Sequence, residues 1–228
     1  MALAVVPGFA GFEAHVVNVT AEIEDALWVH PAERTYGAVF PQEYFLTSFF
    51  LSFSESFSEA DQKRVGTVEY AIKQKPKPRE EKIGELGGLL AARDWCHENA
   101  PADASDKDDA YYVNCFPNLC PYLSKQPDGI PAPGNDVGLP AFHDPETDFA
   151  TGKIVKFNQF GNTINNDPAD SWTVDLAVPC FEGQCAQDWT EFVHAHNPDA
   201  DPDKFMAPEG LSGEVFGCDL WIEVTDIY

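Results

Sequence analysis

Segments in which apolar and polar residues alternate recur along this chain of 228 residues. Alternation of this kind is the period of a β-strand that turns one face to a core. Separated strands with this pattern predict an all-β fold, a β-sandwich of antiparallel sheets. The segment RTYGAVF predicts one further, shorter strand. The alternating segments span residues 17–23, 45–53, 68–72, 172–178 and 220–224.

Two stretches predict short helices, REEKIGELGGLLAARDWCHE and AQDWTEFVHAHN. The glycines of the first stretch weaken its helical pattern. From about residue 96 to about residue 170, the alternating pattern is absent and the sequence is rich in proline, aspartate and asparagine. We therefore expect residues 13–228 to form a single β-sandwich domain with a long Cys- and Pro-rich insertion at about 96–170, lying along the surface.

The six cysteines predict a disulfide framework, because zinc sites usually show tighter Cys pairs or nearby histidines. Disulfides place the chain in an oxidising compartment, secreted or at the cell surface. We expect three intrachain bridges, at least one of them within the insertion, but six cysteines allow about 15 pairings. The cysteines are Cys96, Cys115, Cys120, Cys180, Cys185 and Cys218.

The charge of the chain limits its partners. It carries 38 acidic against 14 basic residues, a formal net charge of −24. Such a surface repels phosphate backbones, which argues against nucleic acid as a partner. No stretch of the sequence approaches the roughly 20 apolar residues that span a bilayer. Cations, cationic groups and neutral glycans remain compatible with this charge.

Motifs of common catalytic centres are missing from the sequence, which has no Gly-rich phosphate loop, G-x-S-x-G or H-E-x-x-H. We therefore expect neither an enzyme nor a cofactor. His194 and His196 lie two apart in a helical pattern, which does not aim both rings to one side. Calcium is the one ion the sequence suggests, because Asp199, Asp201 and Asp203 alternate as in calcium loops. Prolines interrupt that stretch, and a solvated acidic loop is the alternative.

The stretch KQKPKPR concentrates basic residues in an acidic chain. Its prolines predict an extended segment that cannot serve as a central strand. One interpretation is a polar exit from a strand. The other is a cationic patch that meets the acidic face of another copy and so orients assembly. The residues are Lys73, Lys75, Lys77 and Arg79.

The first twelve residues, MALAVVPGFAGF, carry no charge. They lack the basic residues that precede the apolar core of a signal peptide, and they are too short to span a membrane. We expect residues 1–12 to be a donor strand that completes the sandwich of the next subunit, giving a head-to-tail homopolymer. The expected anchors are Leu3, Val5, Phe9 and Phe12. Separately, Asn18 in NVT is a candidate glycosylation site.

Several motifs together resemble one family. They are FEAHVVNVTAEIEDAL, AVFPQEYF, EYAIKQKPKPR, NLCPYL, SWTVDLAVP, QDW and FGCDLWIEVTDI. The family consists of secreted bacterial and archaeal proteins with SipW-type signal peptides, related to TasA, camelysin and archaeal bundling pilins. The resemblance implies a jelly-roll β-sandwich that polymerises into extracellular fibres of biofilms, with the N-terminal segment donated between subunits in the pilins. The Cys-rich middle of this chain departs from the TasA pattern.

Two other functions stay open. One is a glycan-binding or adhesive jelly roll, with Trp95 or Trp189 as an aromatic platform. The other is a camelysin-like hydrolase, although the sequence has no zinc-protease motif. A filament subunit is the leading hypothesis, with neighbouring filaments or extracellular glycans as further partners.

Overall fold

A computed structural model of the chain describes residues 25–55, 66–100, 110–127, 135–155 and 167–227. Within these ranges the protein is mostly β, as the alternating segments predict. The strands in chain order are β1 Leu27–His30, β2 Tyr44–Phe45, β3 Ser48–Phe53, β4 Thr67–Pro76, β5 Gln126–Pro127, β6 Ala150–Val155, β7 Ala169–Thr173, β8 Leu176–Ala177 and β9 Cys218–Ile227.

The strands form three antiparallel sheets. The larger sheet has the order β1-β3-β7-β5, the three-stranded sheet has the order β6-β4-β9, and β2 pairs with β8. One apolar cluster takes buried side chains from both main sheets, as in a β-sandwich. The all-β prediction is therefore confirmed, while the jelly-roll connectivity stays a prediction.

Three α-helices lie in the described ranges, one more than the sequence predicts. They are α1 Leu89–Glu98, α2 Ala110–Asn114 and α3 Trp189–His196. The helix predicted before residue 89 forms only a short 3₁₀ turn at Glu80–Lys82. Gly87 and Gly88 have φ angles of 91° and 106°. Since these angles lie outside the right-handed helical region, α1 begins after them. Further 3₁₀ turns are Cys120–Tyr122, Pro202–Phe205 and Glu209–Leu211.

The strand predicted for RTYGAVF is wrong, because residues 34–40 form no strand. Their side chains bond to other segments instead. The Tyr36 hydroxyl donates to the Val174 carbonyl at 2.9 Å, and Arg34 Nε donates to the Ser48 carbonyl at 3.1 Å. These side-chain bonds hold the segment against the larger sheet, although its backbone does not pair with a strand.

A buried polar network joins the two main sheets. The Tyr70 hydroxyl of β4 donates to Asp170 Oδ2 of β7 and accepts a bond of 2.8 Å from Trp172 Nε1. Tyr70 is 1% exposed and Trp172 is fully buried. A Cβ at Gly152 of β6 would lie 2.2 Å from the Tyr70 hydroxyl oxygen, so only glycine fits beside this network.

The stretch predicted as a surface insertion contributes to the core. It contains β6, which pairs with β4, and it supplies buried Tyr122, Phe142 and Ile154 to the main apolar cluster. The expectation that it lies along the surface is therefore wrong. The short β6 repeats the strand period with small residues, since Ala150 and Gly152 alternate with Thr151 and Lys153.

All six cysteines form disulfides, as predicted, and the pairing that the sequence left open is settled. The bridges are Cys96–Cys115, Cys120–Cys218 and Cys180–Cys185. The first lies inside the 96–170 stretch, and the second ties that stretch to the start of β9. Three disulfides are typical of proteins from an oxidising compartment.

Some predictions fall on residues that the structure does not describe. They concern the tail at 1–12 with Leu3, Val5, Phe9 and Phe12, the alternating segment at 17–23, and Asn18. In the parts that are described, no helix has the length and apolar composition needed to cross a membrane.

Candidate subunit-docking edge

The last strand, β9, lies at one edge of the three-stranded sheet. It pairs with β4 along its whole length, from Cys218 opposite Pro76 to Ile227 opposite Val68. On its other side, no strand of the described ranges pairs with it. A long edge strand presents a row of backbone N–H and C=O groups to which another strand can add.

Apolar side chains on the core-facing side of β9 form a strip, called here the β9 strip, that the described residues cover only in part. Leu220 and Ile222 are half-buried, but Val224 is 37% and Ile227 46% exposed. The β4 partners of Ile222, Val224 and Ile227 are at most 1% exposed. The β9 strip therefore extends the apolar core to the edge of the sheet, where the described residues leave Val224 and Ile227 partly exposed. The pairs are Ile222 with Ile72, Val224 with Tyr70 and Ile227 with Val68.

A shift in the pairing register between β4 and β9 adds Ile227 to this strip. The register shifts opposite Glu69 and Tyr70, so that β9 holds one extra residue, Thr225, between the partners of that pair. Bulges of this kind change which side chains face the core. Because Ile227 pairs with the buried Val68, it lies on the same face of the sheet as Val224.

The basic residues of KQKPKPR contact acids and aromatic rings of their own chain. Lys73 pairs with Glu223 of β9 at 2.6 Å. Lys75 Nζ lies 4.6 Å from the centroid of the Trp221 ring, and Arg93 of α1 lies 5.1 Å from the same ring. Such cation–π contacts on exposed surfaces contribute about 0.5–1 kcal/mol each. They hold α1 and β4 against the outer face of β9.

Farther along the stretch, the other two basic residues share a second ring. Arg79 lies 4.7 Å and Lys77 5.9 Å from the centroid of Phe116. Arg79 Nε also donates to the Tyr112 carbonyl at 2.9 Å. Lys73 and Lys75 thus lie beside β9, whereas Lys77 and Arg79 lie beyond the end of β4 and contact α2 and Phe116. Their role between subunits stays a prediction.

The stretch continues β4, but beyond Ile72 only β9 pairs with that strand, which agrees with the expectation that the stretch cannot serve as a central strand. β4 is the middle strand of its sheet and runs through Pro76. The pairing with β6 ends at Ile72, whereas the pairing with β9 continues to Pro76. Pro76 therefore lies where β4 has a strand partner on one side only, as expected for a proline in a sheet.

A second exposed apolar surface lies on the outer face of the larger sheet. Trp28 of β1 and Phe50 of β3 are each 52% exposed. The Trp28 ring stacks on His30, with centroids 5.2 Å apart, and His30 pairs with Phe50 across the two strands. The three rings form a shallow aromatic platform.

The aromatic residues predicted as a glycan platform do not form one. Trp189 is 5% exposed and packs edge-on against Phe142 in the core, so the expectation for Trp189 is wrong. Trp95 is half-buried against the smaller apolar cluster around Cys96 and Cys115. The sequence pattern missed Trp28 because its strand, β1, has only four residues.

The histidines and aspartates weighed as metal ligands lie apart from this edge. His194 and His196 belong to α3, and His196 Nδ1 is 2.8 Å from the Phe192 carbonyl. Asp201 caps a 3₁₀ turn by accepting from the Asp203 amide. Across the described residues, no three His, Cys, Asp or Glu side chains are grouped so as to hold a metal ion.

Comparison of the chain with protein-family models, curated proteins and solved structures finds no match.

Proposed function

We propose that this protein is a structural subunit of an extracellular filament, in which the N-terminal segment of one copy adds as a strand to β9 of the next. The observations that carry the proposal are the edge of β9, with which no strand of the described ranges pairs, and the β9 strip, which the described residues leave partly exposed. The proposal follows the resemblance to fibre-forming secreted proteins.

The chemistry of the N-terminal segment suits this edge. Residues 1–12 are uncharged and hold Leu3, Val5, Phe9 and Phe12 as large apolar anchors. A strand of twelve residues extends about 40 Å, which is enough to cover the ten residues of β9. Added beside β9, the segment would bond to its open backbone groups and cover Val224 and Ile227.

The gain from this addition is large enough for a lasting contact. Burying the four anchors would contribute on the order of 6–12 kcal/mol, at roughly 1.5–3 kcal/mol each. Ordering the segment and joining the subunits offset part of this gain. Each subunit donates one segment and accepts another, so the contact is heterologous, and a rotation that does not close produces a filament.

Electron microscopy and sedimentation of three variants test the proposal. Deleting residues 1–12 removes the donor, and Val224→Lys places a charge in the acceptor strip. Both changes should abolish filaments. The matched control is Val215→Lys, because Val215 is 66% exposed outside the strip and receives the same substitution. This control should form filaments like the wild type. Normal filaments from the deletion or from Val224→Lys would contradict the proposal.

A second function, glycan binding, is favoured by the platform of Trp28, His30 and Phe50, because exposed stacked rings can hold sugar faces. Trp28→Ala should then abolish retention on a polysaccharide resin without changing assembly. Equal retention of the wild type and this variant would exclude the platform as a glycan site.

A further inference from the structure

A lysine, a glutamine and a histidine meet in the interior of the sandwich. Lys125 is fully buried, Gln74 is 6% exposed and His143 is 4% exposed. Lys125 Nζ donates to Gln74 Oε1 and lies 3.3 Å from His143 Nε2. The Gln74 amide nitrogen contacts the same His143 Nε2. One ring nitrogen thus touches both the amine and the amide group.

The state of the histidine follows from its other nitrogen. His143 Nδ1 lies 2.8 Å from the Pro140 carbonyl, which can only accept a hydrogen bond. Nδ1 therefore carries the proton in the neutral ring, and Nε2 presents its lone pair to Lys125 and Gln74. An unprotonated Nε2 beside two N–H groups is the arrangement of a general base.

Among the described residues, no acid balances this lysine. None of the ion pairs among the described residues includes Lys125. A buried ammonium without a carboxylate partner is costly, so the amine is favoured in its neutral form. Burial lowers the pKa of Lys125 to about 7. A neutral lysine amine in a desolvated site is a nucleophile.

We propose that Lys125 and Gln74 form an intramolecular isopeptide bond, with His143 as the catalytic residue that transfers the proton. The inference stands on the positions of these three side chains and does not depend on the filament proposal. It assigns a covalent modification to the core of the protein.

The reaction balances without any further reagent. Lys125 Nζ attacks Gln74 Cδ, the carbon bonded to the Oε1 that it already contacts. His143 Nε2 takes a proton from Nζ and delivers it to the amide nitrogen of Gln74. The Nζ–Cδ bond forms, the Cδ–Nε2 bond of the glutamine breaks, and one ammonia leaves. Holding the groups in contact replaces a slow bimolecular encounter by an intramolecular one.

The bond would join the two main sheets covalently. Gln74 lies on β4, in the middle of the three-stranded sheet, and Lys125 precedes β5 at the edge of the larger sheet. Conversion of the amine to an amide also removes an ionisable group from the core. The cross-link and the Tyr70 network would then connect the same two sheets at separate places.

Mass spectrometry of the full chain tests the cross-link. After denaturation and disulfide reduction, the wild-type mass should fall below the sequence mass by one ammonia. Digestion should yield a branched peptide that joins the segments around Gln74 and Lys125, and trypsin should not cut after Lys125. An unmodified mass with a linear peptide ending at Lys125 would overturn the proposal.

Matched variants separate this bond from other losses of ammonia. Lys125→Met and His143→Gln should restore the unmodified mass. The control is Lys153→Met, because Lys153 is a half-buried lysine on β6 that pairs with Glu69 at 2.7 Å. It should keep the branched peptide. A loss of ammonia that persists in Lys125→Met, or that needs Lys153, would also overturn the proposal.

Discussion

The hydroxyl group of Tyr70 offers a direct test of how the two sheets are held together. Tyr70→Phe removes one oxygen that donates to Asp170 and accepts from Trp172 Nε1. Water cannot replace it, because Tyr70 is 1% exposed and Trp172 is fully buried. The variant therefore leaves a buried indole N–H without an acceptor and a buried carboxylate without this donor.

The expected loss follows from those two groups. A buried polar group that loses its partner costs about 1–3 kcal/mol, and more when it is charged. Tyr70→Phe should therefore lower the free energy of unfolding by about 2–5 kcal/mol. The matched control is Tyr36→Phe, because the half-buried Tyr36 hydroxyl makes one neutral bond, to the Val174 carbonyl at 2.9 Å. It should cost about 0.5–1.5 kcal/mol.

Urea unfolding with the disulfides intact measures both losses, by tryptophan fluorescence and by circular dichroism. The slopes should stay equal, so that the shift in midpoint reports stability. If Tyr70→Phe costs no more than Tyr36→Phe, the buried network does not hold the sheets together.

Two further perturbations separate other contributions to stability. Removing Cys120–Cys218, which closes a loop across 98 residues, should cost about 4–5 kcal/mol, against about 2 kcal/mol for Cys180–Cys185 across 5 residues. Paired Cys→Ala variants in the same unfolding assay check this, and equal losses would contradict the loop argument. Burial lowers the pKa of His143 from 6.5 to about 3. The unfolded chain then binds the proton first as pH falls, so the wild type should lose about 3 kcal/mol relative to His143→Gln between pH 7 and pH 4. Unfolding at both pH values measures this, and a constant difference would show that His143 is not buried.

Alternation of apolar and polar residues predicted strands that form the core. It did not predict β6, where a contact with a residue distant in the sequence determines the side chain. β3, β4 and β9 have apolar residues in phase over several positions, and all three are strands. β6 was missed because glycine stands at one of its inward positions. That glycine is required by Tyr70, 82 residues earlier in the chain, and no local pattern reveals such a contact.

The buried cluster of Lys125, Gln74 and His143 is likewise only partly predictable from the sequence. Gln74 continues the buried face of Val68, Tyr70 and Ile72, and a polar residue in that phase is a signal that the sequence does contain. Lys125 and His143 have no comparable signal. They come from irregular segments that lie 51 and 69 residues from Gln74 in the sequence.

The central claim is that residues 1–12 of one copy add as a strand to β9 of another copy. Cross-linking between labelled copies tests this claim most directly. Heavy-isotope chains with a photoreactive amino acid in place of Val224 are mixed with equal amounts of light chains, assembled and irradiated. We expect heavy peptides of β9 joined to light peptides from residues 1–12. Exclusively heavy-to-heavy products would show that the segment packs on its own domain, and products without residues 1–12 would show that β9 does not accept it.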